Sequence, residues 1–142
     1  MFRRLTDDFY VAPQIALADV SAAAAQGFAL IINNRPDGEE PDVPQGDAVA
    51  AAAAAAGLAY ASVPVGHSGF SAAQLDALNA ARAAHPGKAL AYCRSGTRST
   101  YLWALASARG GADVDALCTA AAGAGYDLSP LRATLASLAA GA

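Results

Sequence analysis

Apolar runs and chain-breaking residues alternate along this sequence. Phe28 to Asn33 is a continuous apolar run ending in a polar residue, the pattern of a strand buried on both faces. Lys88 to Tyr92 reads the same way, with Leu90 and Tyr92 as its large members. Phe9 to Ala12 and Leu58 to Val65 complete the predicted strands. Helix-forming stretches lie between them. Leu17 to Gln26 is closed by Gly27, and Gly46 to Ala56 by Gly57. Ser71, with Gln74 three residues on, spells a capping box for a helix running to about His85, before Pro86-Gly87. Further helices are predicted over 98–109, 114–122 and 130–138, the last with Ser129 as N-cap and Pro130 at its first position. Arg35 to Pro44 holds three prolines and a glycine and reads as a loop.

This order of strands and helices predicts an α/β fold: one domain over residues 1–142, with a mostly parallel central sheet flanked by helices. In such sheets, sites lie beyond the carboxyl ends of the strands. The polar loops there begin at Asn33, Gly66 and Cys93.

Composition narrows the picture. Hydrophobic residues make up 55% of the 142 and charged residues 15%, which excludes a disordered chain. Much of the apolar fraction is Ala, which favours helix but buries little area. The core is therefore expected from Phe28, Leu30, Ile31, Ile32, Leu58, Val63, Leu90, Tyr92, Leu102, Trp103 and Leu105. A net charge of −3 without a basic stripe argues against nucleic acid or an anionic membrane as partner. Asp7 and Asp8 follow Arg3 and Arg4 where a signal peptide would carry its apolar segment. No apolar run approaches the ~20 residues of a membrane helix, so a cytoplasmic location is expected. The sequence does not specify an oligomeric state.

The two cysteines have different surroundings. Cys118 sits in a helical, Ala-rich context and reads as a small core residue. Cys93 opens the segment Cys93-Arg94-Ser95-Gly96-Thr97-Arg98-Ser99 at the end of a buried strand, just before a helix. Gly96 can take a positive φ and let the loop close on itself, with backbone N–H groups turned inward as an anion-binding nest. The helix N-terminus adds a positive dipole end. Such surroundings favour thiolate over thiol. Arg98 can fork two hydrogen bonds to an oxyanion, and Arg94 adds positive charge at the mouth. Ser95, Gly96 and Thr97 supply loop donors, and Ser99 is a candidate hydroxyl donor to the sulfur. Cys93 and Arg98 are thus the candidate catalytic pair.

Two enzyme classes share this loop design. Cysteine phosphatases place five residues between Cys and Arg; rhodanese-like sulfurtransferases often place four, as here. The loop from Cys93 to Ser99 closely resembles the sulfurtransferase version. Residues Asn33 to Glu40, the strand ending Val63-Pro64-Val65 and the loop from Tyr92 to Ser99 together resemble the beta-lactamase-hydrolase-like, phosphatase-like domain family, over about Leu5 to Ala108. That resemblance implies a dual-specificity-phosphatase-like fold. Its members are described both as phosphatases and as sulfurtransferases, and some are fused to metal-dependent hydrolases linked to persulfide oxidation, so a persulfide-oxidising metal enzyme is an implied partner.

Sulfur transfer, through a Cys93 persulfide formed from thiosulfate or another persulfide, needs no general acid. Phosphoester hydrolysis needs a proton on the leaving oxygen. Pro64 to Ser71 contains no Asp or Glu, and its one titratable residue is His67. The remaining acid candidates are Asp37, Glu39 and Glu40. Tyr92 stands where the phosphatase signature has His, and the loop is one residue short. These departures favour sulfur transfer, with phosphoester hydrolysis as the alternative and an anion-binding module without turnover as the third reading. A small anionic substrate is common to all three. His67 reads either as an acid–base or substrate-contact residue or as a solvated loop side chain, the second favoured; His85 reads as a surface helix end. Arg35 either binds a second anionic group of the substrate or pairs with Asp37 to hold the turn. The acidic run Asp37, Glu39, Glu40 and Asp42 reads as a solvated loop face. Two lone His and two distant Cys make no zinc pattern, and no cofactor is expected.

Overall fold

The computed structural model describes residues 2–142. Five strands form one sheet: β1 (Arg3–Thr6), β2 (Phe9–Ala12), β3 (Phe28–Asn33), β4 (Ala59–Ser62) and β5 (Lys88–Tyr92). Their order is β1-β2-β5-β3-β4. The pairs β2–β5, β5–β3 and β3–β4 are parallel, and only β1 runs antiparallel to its neighbour β2. The mostly parallel α/β fold expected from the sequence is the fold observed.

Helices α1 (Leu17–Ala25) and α2 (Gly46–Ala55) cover one face of the sheet. Helices α3 (Ala72–Ala84), α4 (Thr97–Arg109), α5 (Val114–Gly123) and α6 (Arg132–Ala140) belong to the other. Strand alternation divides the core between these faces. In β5, Leu90 and Tyr92 meet the α1/α2 side together with Val20, Val49 and Ala53. Ala89 and Ala91 meet the α4 side, where their small size makes room for Leu102, Leu105 and the indole of Trp103. A register shift between Phe28 and Leu30 puts Phe28 and Ile31 on the same face despite their odd spacing. All eleven residues expected in the core are buried.

Helix ends follow their capping residues. Ser71 and Gln74 form the reciprocal box at the start of α3, and His85 is its exposed C-cap. Gly27 and Gly57, both near φ +80°, end the turns after α1 and α2.

Four expectations need correction. The edge strand β1 lies ahead of what was predicted as the first strand. Strand β4 is shorter than Leu58 to Val65: past Ser62, Val63 N–H and Val65 N–H bond to the successive carbonyls of Asn33 and Asn34, two residues against one, and the regular ladder ends. Ser129 and Pro130 form a separate 3-10 turn, and α6 begins only at Arg132. Asp127 Oδ1 accepts from both the N–H and the hydroxyl of Ser129, so Asp127 fills the capping role given to Ser129. Cys118 is half-buried rather than a core residue, and Arg132 Nη1 donates to its sulfur at 3.2 Å.

No helix of the described residues is long and apolar enough to cross a membrane.

Candidate active site

Strands β3 and β5 are adjacent and parallel, so the loops that follow them emerge side by side at the same sheet edge. Backbone bonds stitch these loops together. Asn34 N–H donates to Tyr92 C=O at 2.9 Å, Val65 N–H to Asn34 C=O at 2.9 Å, and Cys93 N–H to Ala12 C=O at 3.4 Å. Asn34 adds a side-chain bond to Val63 C=O, and Asn33 accepts from Arg35 N–H while donating to the Tyr60 hydroxyl. The frame around Cys93 is therefore fixed by four strands at once.

The thiol of Cys93 is buried, with 1% of the residue exposed, rather than lying open at the surface. The chain turns back over it: Gly96 adopts φ +91° and delivers its N–H to Cys93 Sγ at 3.1 Å. Gly96 is also the N-cap of α4, so the positive end of that helix starts at the sulfur. Ser95 and Thr97 are tied to each other, the Ser95 hydroxyl donating to the Thr97 hydroxyl at 3.0 Å and accepting from Thr97 N–H at 3.3 Å. Ser99 does not reach the sulfur; its hydroxyl is buried without a hydrogen-bond partner among the described residues. The hydroxyl that holds the loop base is that of Thr100, which donates to Gly96 C=O at 2.8 Å.

Arg98 projects from the first turn of α4. Its Nη1 donates to Glu39 Oε2 and to Val65 C=O, both at 2.7 Å, and its Nη2 donates to Glu39 Oε1 at 2.8 Å. Three of the five guanidinium N–H groups are thereby used. The Nε–H and the second Nη2–H donate to no protein oxygen among the described residues, and the Cys93 sulfur lies beside the guanidinium, so this edge of the fork can meet an oxyanion held over the sulfur. Hydrogen bonding to Glu39 holds Arg98 above the usual guanidinium range against the effect of burial, and the neighbouring Cys93 side chain adds to it.

The second loop departs from expectation. Arg35 does not pair with Asp37. Its Nε donates to Glu39 Oε1 at 2.8 Å, its Nη2 to Glu40 Oε1 at 2.9 Å and its Nη1 to Gln14 Oε1 at 2.8 Å. With 6% exposure and three partners, Arg35 is committed to the protein rather than to a substrate. Asp37 instead accepts from Gly46 N–H at 2.9 Å, capping α2 across the loop. The acidic run is not all solvated: the Glu39 carboxylate turns inward and bridges Arg35 and Arg98, which hold it down at about 2, with Arg98 the stronger influence and burial opposing both. A carboxyl in that state is an anion at neutral pH, which removes Glu39 as a proton donor. Arg94 and His67 are exposed, and neither side chain has a protein partner among the described residues. The Arg94 carbonyl is held by Gln14 N–H at 3.2 Å.

Three residues of the site carried no signal in the sequence. Gln14 touches both loops, Thr100 closes the loop base, and Tyr126 donates its hydroxyl to Ser95 C=O at 2.9 Å. Beneath the second loop is a pocket of about 10 Å³, room for one water, lined by Asn33, Arg35, Asp37 and Tyr92 among others. The Tyr92 hydroxyl is buried and has no hydrogen-bond partner among the described residues, and burial holds it protonated far above its ordinary range. Among the described residues no three His, Cys, Asp or Glu side chains are gathered to hold a metal ion.

Known proteins resemble this chain in sequence and fold. A protein of Agrobacterium fabrum called beta-lactamase hydrolase-like protein is 38% identical over 108 residues, 76% of this chain and 25% of that one. A protein of the same name from Xylella fastidiosa is 49% identical over 82 residues, 58% of this chain and 19% of that one. The chain thus spans about a fifth to a quarter of the length of these curated relatives. The crystal structure of a candidate phosphatase from Neisseria meningitidis superposes with a TM-score of 0.83 at 30% identity, covering 96% of both chains. TpbA of Pseudomonas aeruginosa, crystallised with phosphotyrosine, shares the fold at a TM-score of 0.66 and 16% identity, over 99% of this chain and 88% of that one. These likenesses favour the phosphoester alternative and lend no support to sulfur transfer. Residues 1–110 match the family described as beta-lactamase hydrolase-like protein, phosphatase-like domain, and the chain belongs to that family.

Proposed function

We propose that this chain is a cysteine-dependent phosphoester hydrolase. The observation that carries the reading is Cys93, under the Gly96 N–H and beside the Arg98 guanidinium, whose Nε–H edge meets no protein oxygen among the described residues. Its setting is a fold shared almost end to end with a candidate phosphatase. In the first step the Cys93 thiolate attacks phosphorus; a P–S bond forms as the P–O bond to the leaving group breaks. The Nε–H and Nη2–H edge of Arg98 and the loop amides bind the equatorial oxygens, where negative charge gathers in the transition state. In the second step water attacks phosphorus, the P–S bond breaks, and phosphate leaves with the thiolate regenerated.

The leaving oxygen takes its proton from solvent in this scheme, because the carboxylate nearest the site is held ionised by two arginines. Substrates whose leaving group departs without prior protonation are therefore favoured, aryl phosphates ahead of alkyl phosphates. A fold relative has been crystallised with phosphotyrosine, which is an aryl phosphate.

Sulfur transfer is retained as a second reading on one observation. The four-residue spacing between Cys93 and Arg98, with the Glu39 carboxyl on Arg98 held ionised, suits a persulfide carrier that needs no general acid. One side-by-side assay separates the two. The expected result is release of aryl alcohol from an aryl phosphate, lost in Cys93→Ser, with no thiocyanate formed from thiosulfate and cyanide. Thiocyanate formation without aryl phosphate turnover would reverse the assignment.

A further inference from the structure

The peptide that joins Ser95 to Gly96 is held at both ends. Its C=O accepts a hydrogen bond from the Tyr126 hydroxyl at 2.9 Å, and its N–H donates to Cys93 Sγ at 3.1 Å. In a trans peptide these two groups point in opposite directions, so fixing one aims the other. A donor on the carbonyl also polarises the amide and strengthens its N–H toward an anion.

Tyr126 is built into this place. A Cβ on Gly96 would lie 2.0 Å from the Tyr126 hydroxyl oxygen, so the phenol fills the volume that a side chain at 96 would take. Its ring is buried, and the Arg3 guanidinium lies 5.2 Å from the ring centroid. Burial raises the phenol above its usual range and keeps it in the form that donates. Tyr126 follows α5, beyond residue 110 where the family match ends.

We propose that Tyr126 is a positioning residue for the nucleophile, orienting the Ser95–Gly96 peptide so that its N–H stays on the Cys93 sulfur. The proposal rests on Cys93 being the reacting thiolate, but its test does not require turnover. Iodoacetamide alkylation of Cys93 is followed across pH on the full chain, reading the Cys93 peptide by mass spectrometry so that Cys118 does not interfere. Tyr126→Phe keeps the ring and removes the donor. The midpoint of its profile is expected to rise by about one pH unit, and kcat on aryl phosphate to fall about tenfold with KM little changed. Placing 3-fluorotyrosine at 126, a stronger donor of nearly the same shape, is expected to lower the midpoint, and serves if the Phe variant does not fold. A midpoint unchanged by either replacement, with the wild-type profile lying below that of free cysteine, would overturn the positioning role and leave the proposed function standing. A wild-type profile matching free cysteine would overturn both.

Discussion

Glu39 caps the end of the Arg98 guanidinium with two hydrogen bonds, of 2.7 and 2.8 Å, and shares one of its oxygens with Arg35. A rigid fork results. Arg35 is anchored by Gln14 and Glu40, Glu39 is anchored by Arg35, and Arg98 is held by Glu39 and the Val65 carbonyl. The edge left over is the one an oxyanion would use, and it is set in place before any substrate arrives.

Glu39→Gln is the direct probe of that chain of contacts. The variant leaves the half-buried Arg98 without its carboxylate and the buried Arg35 with Glu40 alone, and a cost of about 3 kcal/mol is expected. Urea unfolding should show a lower midpoint with an unchanged slope. KM for aryl phosphate should rise. A fall in KM would mean that Glu39 competes with substrate instead of positioning Arg98.

Acid should weaken the protein through the same carboxyl. Glu39 is held at about 2 in the folded state, below the roughly 4.3 of an unfolded glutamate. A depressed carboxyl contributes stability that is complete above the unfolded value and is lost as pH falls toward the folded one. Unfolding free energy should therefore drop between about pH 4.5 and about pH 2. Glu39→Gln should flatten that limb. Asp127, also lowered but fully exposed, is unaffected by this substitution, so the difference between the two curves isolates Glu39.

Gly96→Ala tests the geometry of the turn. It puts a side chain at φ +91° and against the Tyr126 hydroxyl, 2.0 Å away. Backbone strain and overpacking together should cost about 2–4 kcal/mol. Displacing the Gly96 N–H from the sulfur should lower kcat about a hundredfold. Thermal unfolding and steady-state kinetics read the two effects separately.

Arg98→Lys keeps the charge but not the fork. A single ammonium cannot hold Glu39 and the Val65 carbonyl and also present two parallel donors to a phosphoryl group. Aryl phosphate turnover should fall about 10²–10³-fold while the fold persists, as judged by circular dichroism.

Much of this was legible in the sequence because it is local. The strands Phe9–Ala12, Phe28–Asn33 and Lys88–Tyr92 lie at their predicted bounds, since short apolar runs between breakers have little freedom to shift. Strand β1 was not legible: only Leu5 of its four residues is buried, so Arg3-Arg4-Leu5-Thr6 carries no strand signature and pairs through its backbone at the sheet edge. The loop from Cys93 to Arg98 could be read as a unit because its residues are neighbours in sequence. Its supports could not. Glu39 reaches Arg98 across 59 residues and Tyr126 reaches Ser95 across 31, and no periodicity or spacing encodes such contacts. In a proline-rich loop, composition suggested solvated carboxylates; the buried Arg35 and the half-buried Arg98 drew one of them inward.

Intact-protein mass spectrometry after rapid acid quench, during turnover of an aryl phosphate, reads the central claim most directly. A fraction of the chain should carry the added mass of one phosphoryl group, mapped to Cys93 and absent from Cys93→Ser. Turnover that continues in Cys93→Ser, or a phosphoryl group found on any other residue, would contradict the account.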